Sequence, residues 1–209
     1  MRSRLFSLFA IALCGLSACV QVDNKMLEKS PPTRQFYSLE VTRPLPATAG
    51  QTGSVLRLAP FRLAAPFYGK GFIYRFDEHR YQSDYYHQFL AEPAALITTA
   101  TANWLSASGH FALVHSTSSR LGADLLLEGT VDALYGDFRQ KEFPKAVLEL
   151  HLRLLDAKTD QPALLFERRY TAAVPFVSDS PENLVKAWNQ ALSNILTQFE
   201  QDAALHLEP

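Results

Sequence analysis

Cysteine is nearly missing from this 209-residue chain, which contains only Cys14 and Cys19. Both lie in the N-terminal segment, so the rest of the chain has no disulfide, no thiolate metal ligand and no cysteine nucleophile. A body of this size can bury a sizeable core without cross-links. Its stability therefore has to come from packing.

Long apolar runs are also lacking. The N-terminal apolar segment, Leu5 to Leu13, is too short for a membrane-spanning helix, which needs roughly 20 residues. It follows Arg2 and Arg4 and precedes the sequence Leu16-Ser17-Ala18-Cys19. This order predicts a bacterial lipoprotein signal peptide over 1–18, with cleavage before Cys19 and acylation of its sulfur by chains such as palmitate. Each methylene buried in the bilayer contributes about 0.8 kcal/mol, so two or more chains give stable attachment to a membrane surface.

An excess of basic charge is absent as well. Removing residues 1–18 takes away two of the 20 Lys and Arg and none of the 21 Asp and Glu, so the mature net charge is about −3. Binding to nucleic acid demands a basic surface that neutralises phosphates. The composition therefore argues against a nucleic-acid partner.

Recognisable reaction centres are missing too. The six histidines show neither H-x₃-H nor HExxH spacing, and a metal site needs three or four converging ligands. No G-x-S-x-G or S-x-x-K nucleophile motif is present, and no glycine-rich loop is long enough to cradle a phosphate. We interpret the chain as a non-enzyme that uses no metal and no cofactor.

After the signal peptide, residues 19–34 are polar and irregular and contain Ser30-Pro31-Pro32, which is typical of a flexible tether. The following residues, 35–205, are predicted to form a single domain. Its strands are expected at 35–41, 55–61, 72–76, 80–86, 110–114, 124–134, 146–155 and 164–172.

Two helices are expected in this domain. One begins near Glu92-Pro93 and ends at Gly109, and the other begins near Ser180-Pro181 and has an apolar stripe that reaches Phe199. In the strand at 146–155, leucines alternate with polar residues, which indicates a half-exposed sheet. The predicted fold class is α+β, with a mostly antiparallel or mixed sheet and two main helices packed on one face.

Aromatic residues are concentrated between Phe61 and Phe89, which hold ten of the chain's 24. Tyrosine has an apolar ring and a polar hydroxyl that can stay in contact with water, and it is enriched at interfaces. We therefore predict a partner-binding surface formed by Tyr74, Tyr81, Tyr85 and Tyr86. The alternative interpretation is a sheet core with a tyrosine-rich hairpin. Strand alternation predicts that Phe72, Tyr74 and Phe76 share one face and that Ile73 and Arg75 share the other.

Several of these features occur together in a known family. They are the signal ending at Cys19, the strand Phe36-Tyr37-Ser38-Leu39, Val55-Leu56-Arg57-Leu58 before Pro60, Ile73-Tyr74-Arg75, the stretch from Tyr85 to Pro93, Ala123-Asp124-Leu125, Phe138 and the helix with Trp188. In this order and spacing the chain resembles the ABC-type transport auxiliary lipoproteins, which include the paraquat-inducible protein C type.

The resemblance implies an accessory role in lipid transport across the envelope of a Gram-negative cell. The implied partners are a mammalian-cell-entry-type (MCE) substrate-binding protein and its ABC permease and ATPase, and a homo-oligomer is possible. Val20 rather than aspartate follows Cys19, which by the sorting rule of enteric lipoproteins predicts attachment to the outer membrane, facing the periplasm. Two alternatives stay open: a ring-forming outer-membrane assembly or secretion lipoprotein, and an anchored periplasmic hydrolase.

Overall fold

The computed structural model describes residues 33–44, 53–116, 119, 121–177 and 180–207. From Arg34 onward the chain forms one compact unit. The predicted signal peptide, Cys19, and nearly all of the predicted tether lie outside the described residues.

The described residues contain nine strands, two α-helices and a short 3-10 helix. The strands are β1 (Gln35–Tyr37), β2 (Val55–Leu58), β3 (Arg62–Leu63), β4 (Gly71–Arg75), β5 (Tyr81–Phe89), β6 (Leu113–Ser116), β7 (Leu125–Asp137), β8 (Lys145–Asp156) and β9 (Ala163–Pro175). The helices are α1 (Pro93–Ser108) and α2 (Pro181–Leu207), and the 3-10 helix is Ala65–Phe67. No helix in this described part is long and apolar enough to span a membrane.

Strand β7 organises the sheet. Its one edge pairs with β8 along its whole length, and β8 pairs in turn with β9, so these three strands form an antiparallel meander. Along the other edge of β7, three short strands pair in parallel one after another: β2, then β3, then β4. Beyond them, β6 flanks β2, and β5 and β1 extend the sheet from β4.

The alternating residues of β8 show why the sheet has a solvent-exposed face and a buried face. Its even-numbered residues from Ala146 to Leu154 are fully buried. On the opposite face, His151 pairs with Glu167 of β9, and Arg153 lies 3.4 Å from Glu128 of β7. Polar side chains on the exposed face thus find partners across the strands, while the other face carries the core.

Both helices pack on the buried face of the sheet. Helix α1 has proline in its first turn and ends at Gly109, whose φ of 74° is the left-handed conformation that favours glycine. Ile97 of α1 and Trp188 of α2 belong to the same buried cluster as Leu150 of β8. The expected α+β class, a mixed sheet with two helices on one face, is confirmed.

The segment that follows β1 leaves the sheet and runs beside the helices. Leu39 is buried, and the Glu40 backbone N–H donates to Asn189 Oδ1 at 3.1 Å. Farther along, the Arg43 guanidinium makes a two-pronged ion pair with Glu200, with Nε–Oε1 at 3.0 Å and Nη2–Oε2 at 3.1 Å. The start of the domain is thereby fastened to the middle and end of α2.

Strands β5, β7 and β9 each run three residues past their predicted ends. Three other predicted strands are wrong for a local reason. The predicted strand 35–41 ends at Tyr37, because the chain turns toward α2. The predicted strand 55–61 ends at Leu58, before Pro60, which has no N–H for a ladder. Phe61 N–H instead donates to Thr98 Oγ1 at 3.0 Å, and β3 begins only at Arg62. The predicted strand at 110–114 begins only at Leu113, since the His110 N–H turns back to the end of α1 and donates to Ser108 Oγ at 3.2 Å.

Candidate partner-binding surface

The β4–β5 hairpin positions most of the predicted site residues. Its turn is closed by Asp77, whose Oδ1 accepts from the N–H groups of His79 at 3.0 Å and Arg80 at 2.8 Å. An aspartate that bonds to backbone two and three residues ahead stabilises such a turn locally. Strands β4 and β5 pair antiparallel as a hairpin, and its turn is stabilised by the side chain of Asp77.

Strand β5 contains a bulge at residues 84–87. Gly71 pairs with Gln88 and Ile73 pairs with Ser83, so the register shifts between these two positions of β4. A Cβ on Gly71 would lie 2.5 Å from Ser83 Oγ and 2.7 Å from the Asp84 carbonyl oxygen. Glycine at this position lets the bulged backbone cross close to β4, and such bulges re-aim side chains.

Asp84 holds the bulge together. Its Oδ1 accepts from the N–H of Tyr86 at 2.7 Å and of His87 at 3.1 Å, and its Oδ2 lies 2.7 Å from His87 Nδ1 and accepts from the Tyr74 hydroxyl at 2.9 Å. Burial opposes ionisation of Asp84, but these hydrogen bonds outweigh it and hold the pKa of the carboxyl below its usual range. Burial and the bond to Asp84 together raise the pKa of Tyr74.

The result is that the bulge presents Tyr85 and Tyr86 to solvent. Their side chains are 60% and 40% exposed, and their rings meet edge to face at 5.2 Å. The Arg34 guanidinium lies 4.1 Å from the centre of the Tyr85 ring, within the range of a cation–π interaction. Two aromatic rings are thus held in defined positions on the surface.

Tyr81 lies on the face of the sheet away from the helices. Its ring meets Phe67 and Tyr135 edge to face at 6.3 Å and 5.7 Å, and the Arg75 guanidinium lies 5.3 Å from its centre. Beneath these rings, Ile73 packs on a second, smaller cluster around Tyr135. Tyr81 is 44% exposed, so part of its ring rests on this support and part is open to solvent.

Tyr74 is placed differently from the other three predicted tyrosines. It packs against the main core, on the side of Phe72, whereas Ile73 faces the smaller cluster, as strand alternation predicted. The structure therefore brings Tyr85 and Tyr86 together, has Tyr81 on the same strand, and puts Tyr74 on the opposite face from Tyr81.

Phe36 is a surface aromatic that the sequence reasoning missed. It is 55% exposed and pairs with Gln88 in the parallel β1–β5 ladder. By register it shares the face of Ile73 and Tyr81. In the sequence, Phe36 belongs to a short strand pattern, which gives no sign that its ring is exposed. The exposure depends on the position of β1 at the edge of the sheet. We call Phe36, Tyr81, Tyr85 and Tyr86 the β1–β5 aromatic surface.

Tyr37 connects this region to the start of α2. Its hydroxyl lies 2.6 Å from Gln35 Oε1 and 3.1 Å from Glu182 Oε1. Burial, followed by the hydrogen bond to the Glu182 carboxylate, raises the pKa of Tyr37 to about 12. The edge strand β1 is thereby tied to the first turn of α2.

Histidine chemistry is limited in the described part of the chain. His87 is held by Asp84 and lies near the rings of Tyr37 and Phe72, at 6.1 Å and 6.5 Å. This packing gives the pair a structural role in the bulge. Within the same described ranges, no three His, Cys, Asp or Glu side chains converge as metal ligands would.

The α+β fold of this domain is shared with solved structures. A crystal structure of a DUF330 protein from Xanthomonas campestris is 21% identical, with a TM-score of 0.70, and the match covers 81% of this chain and 99% of that one. An uncharacterized protein matches with a TM-score of 0.63 at 14% identity, over 82% and 99% of the two chains. These likenesses show the fold.

The family follows from the sequence itself. The model of the ABC-type transport auxiliary lipoprotein component family matches residues 37–199, and the chain belongs to that family. No curated protein matches the sequence of this chain. The resemblance drawn from the order of motifs is confirmed. The family gives the protein a general role as a lipoprotein component that is auxiliary to ABC-type transport.

Proposed function

We propose that this lipoprotein is the accessory component of an MCE-type ABC system that moves lipid across a Gram-negative envelope. Membership of the family supports the ABC transport role. The observation that carries a docking role is the β1–β5 aromatic surface, because aromatic side chains on a firm support are typical of protein–protein contacts. The MCE system is the partner that the family resemblance implies. In this role the domain binds the MCE protein or its permease and performs no reaction.

The geometry of the surface favours a protein partner. Tyr85 and Tyr86 are held on a bulge by hydrogen bonds to Asp84, so little side-chain and backbone freedom is lost when a partner binds. An aromatic anchor at the centre of an interface contributes about 2 kcal/mol or more, which is roughly thirtyfold in affinity.

The test is co-purification from crosslinked envelopes. Full-length lipoprotein with Tyr85→Ala or Tyr86→Ala should lose most of its MCE and permease partners, while its melting temperature stays close to that of the parent protein. Phe143→Ala is the matched control, since Phe143 is an aromatic residue, 67% exposed, on the β7–β8 turn. Equal partner recovery from all three variants would refute the docking role of this surface.

We also propose that the acylated Cys19 attaches the protein to the outer membrane, facing the periplasm. Val20 supports this destination, since an aspartate there would retain an enteric lipoprotein in the inner membrane. Density-gradient fractionation should find the protein with outer membranes and Val20→Asp with inner membranes. Recovery of the parent protein in the inner-membrane fraction would refute the assignment.

A second candidate function, a ring-forming assembly or secretion lipoprotein, is favoured by β9. Within the described residues β9 pairs only with β8, so its 13 residues leave one edge open. Open edges can add a strand from another chain, although the exposed Glu167, Arg168 and Arg169 discourage casual pairing. Light scattering of the purified lipoprotein decides: a defined oligomer that dissociates on Ala172→Pro supports the ring, and a monomer excludes it.

A further inference from the structure

The β4–β5 turn and the β7–β8 turn lie at the same end of the sheet, which we call the turn end. The ladders align one row of residues there: Tyr81 pairs with Arg75, Arg75 with Asp137, and Asp137 with Lys145. Residues that pair directly across neighbouring strands share a face of the sheet. This row therefore lies on the face of Tyr81, away from the helices.

Basic side chains dominate the β7–β8 turn and the residue that follows it. Arg139, Lys141 and Lys145 are exposed there, against a single exposed acid, Glu142. The Arg139 guanidinium is paired with Asp137, with Nε–Oδ1 at 3.0 Å and Nη2–Oδ2 at 2.6 Å. This turn therefore has an excess of positive charge, although the whole chain has a net charge of −1.

The β4–β5 turn beside it is balanced in charge. Arg80 Nε lies 3.1 Å from Asp77 Oδ2, and the Arg75 guanidinium donates to the backbone carbonyls of Asp77 and Glu78 at 3.2 Å and 3.0 Å. The two arginines offset the two acids of this turn. The positive charge of the turn end thus comes from the β7–β8 turn.

A cleft of about 280 Å³ opens among the basic side chains of this turn. The described residues that line it are Asp137, Arg139, Gln140, Phe143 and Lys145. The guanidinium, the side-chain amide and the ammonium group of this lining all carry N–H donors. Donors with a positive charge make short, strong hydrogen bonds to phosphate oxygens. The chemistry of the cleft therefore suits a phosphate group.

Exposed apolar side chains accompany the basic ones. Phe143 of the β7–β8 turn is 67% exposed, and Val177, just past the end of β9, is 68% exposed. The Phe176 N–H donates to the Pro144 carbonyl at 3.1 Å, which joins the two segments. Exposed apolar rings beside Lys and Arg are typical of protein surfaces that rest in the headgroup layer of a bilayer.

Strand β1 gives the direction from which the chain enters the domain. It runs parallel to β5, with its first residue, Gln35, opposite His87. Strand β5 begins at Tyr81 in the turn end, about 20 Å before His87 at 3.4 Å a residue. The N-terminal end of β1 therefore points toward the turn end. The link from Cys19 to Gln35 spans at most about 55 Å, so an anchor at Cys19 can hold this end close to a membrane.

We infer that the turn end of the domain lies against the membrane and that its basic side chains bind the phosphates of anionic phospholipids. Phe143 then lies among the headgroups. The inference goes beyond the proposed function: it rests on the proposed anchor at Cys19, but neither on the MCE partner nor on which membrane holds the anchor. It also gives the domain an orientation, with the end of α2 farthest from the bilayer.

Fluorescence in proteoliposomes tests the inference with the full-length acylated lipoprotein. Removal of Cys14 with the signal peptide and acylation of Cys19 leave no other thiol, so one introduced cysteine can be labelled alone with the environment-sensitive dye NBD. The labelled variants are Phe143→Cys and, as a matched control, Leu205→Cys, since Leu205 is 73% exposed. The control lies at the opposite end of the domain, because its neighbour His206 stacks on Phe166 at 4.6 Å.

In vesicles of phosphatidylethanolamine and phosphatidylglycerol, the emission of the probe at 143 should shift to the blue and be quenched by doxyl-labelled lipid. The probe at 205 should behave as in water. Replacing phosphatidylglycerol with phosphatidylcholine should remove most of the quenching at 143. Raising the salt from about 0.1 M to about 1 M should do the same, because it shortens the screening length from about 10 Å to about 3 Å.

Two lysine variants, each combined with the probe at 143, test the charge contribution. Lys145→Gln should lower the ratio of docked to undocked domain about fivefold, the effect of one basic residue beside an anionic surface. Lys158→Gln is the matched control, since it removes the same charge from an exposed position in the β8–β9 turn at the opposite end of the sheet. It should leave the ratio unchanged.

No quenching at 143, equal quenching at 143 and 205, equal quenching with either lipid mixture, or equal effects of the two lysine variants would each overturn the inference. A blue shift without quenching by doxyl-labelled lipid would mean that protein covers the probe, which also overturns it. Flotation of the vesicles reports on the anchor separately: protein that does not float has no anchor, and the inference fails with it. Partner recovery from crosslinked envelopes reports on the MCE role independently.

Discussion

Arg43→Ala should lower the free energy of unfolding by about 3–5 kcal/mol, because it leaves the buried Glu200 carboxylate without its partner. The side chains of Arg43 and Glu200 are 5% and 9% exposed, and both Nε and Nη2 of the guanidinium donate hydrogen bonds to the carboxylate. Water cannot easily replace the lost guanidinium at such a depth. For a domain of this size the loss corresponds to a fall in melting temperature of roughly 6–20 °C.

Two control variants separate burial from charge pairing. Arg80→Ala removes a pair with Asp77 whose side chains are 68% and 56% exposed, and it should cost under about 1 kcal/mol. The double replacement Arg43→Met with Glu200→Met removes both charges, and it should be about neutral or stabilising because no buried charge is left unpaired.

Urea unfolding followed by tryptophan fluorescence measures these effects, with Trp104 and Trp188 both in the core. If Arg43→Ala costs no more than Arg80→Ala, the pair does not fasten the start of the domain to α2. If the double variant is as unstable as Arg43→Ala, packing of the arginine stem, and not the unpaired carboxylate, sets the cost.

Three further predictions address the anchor, the titration of a tyrosine and the bulge. Cys19→Ser should abolish incorporation of labelled fatty acid, and continued labelling would contradict the anchor assignment. The pKa of Tyr37 is raised to about 12 from 10.0, so its contribution to stability is complete below about pH 10 and declines as pH rises toward 12. Phenolate absorbance and the free energy of unfolding, both measured as pH is raised, can follow this decline. Gly71→Ala should destabilise by about 1–3 kcal/mol through its clash with Ser83, whereas Gly122→Ala, with open space around it, should change unfolding little; equal effects would remove the steric argument.

The elements that the sequence predicted best are those with a local repeating pattern. The strand β8 was placed to within one residue at each end and the start of α2 at Pro181, since burial of one face imposes the period directly. Helix α2 runs on to Leu207, eight residues past the predicted apolar stripe, which ended at Phe199. The parallel pairing of β2, β3 and β4 along one edge of β7 leaves no such pattern, because it joins segments far apart in the chain.

Only part of the candidate surface could be predicted from the sequence. The concentration of tyrosine identified the right strand, and alternation within Phe72-Ile73-Tyr74 already indicated that Tyr74 faces the core if Phe72 does. The bulge that exposes Tyr85 and Tyr86 could not be foreseen, because it depends on close contact between Gly71 and a backbone 13 residues away. Docking by these residues stays a prediction.

The single long edge of β7 has a consequence for the order in which the protein folds. An exported chain crosses the membrane N-terminus first, so β2, β3 and β4 emerge well before β7, the strand with which all three pair. Until residue 137 has crossed, these strands have open edges and exposed leucines and aromatics, which invite aggregation. The meander β7–β8–β9 forms through contacts between neighbours in the chain, so we expect it to form first and the earlier strands to pair with β7 afterwards.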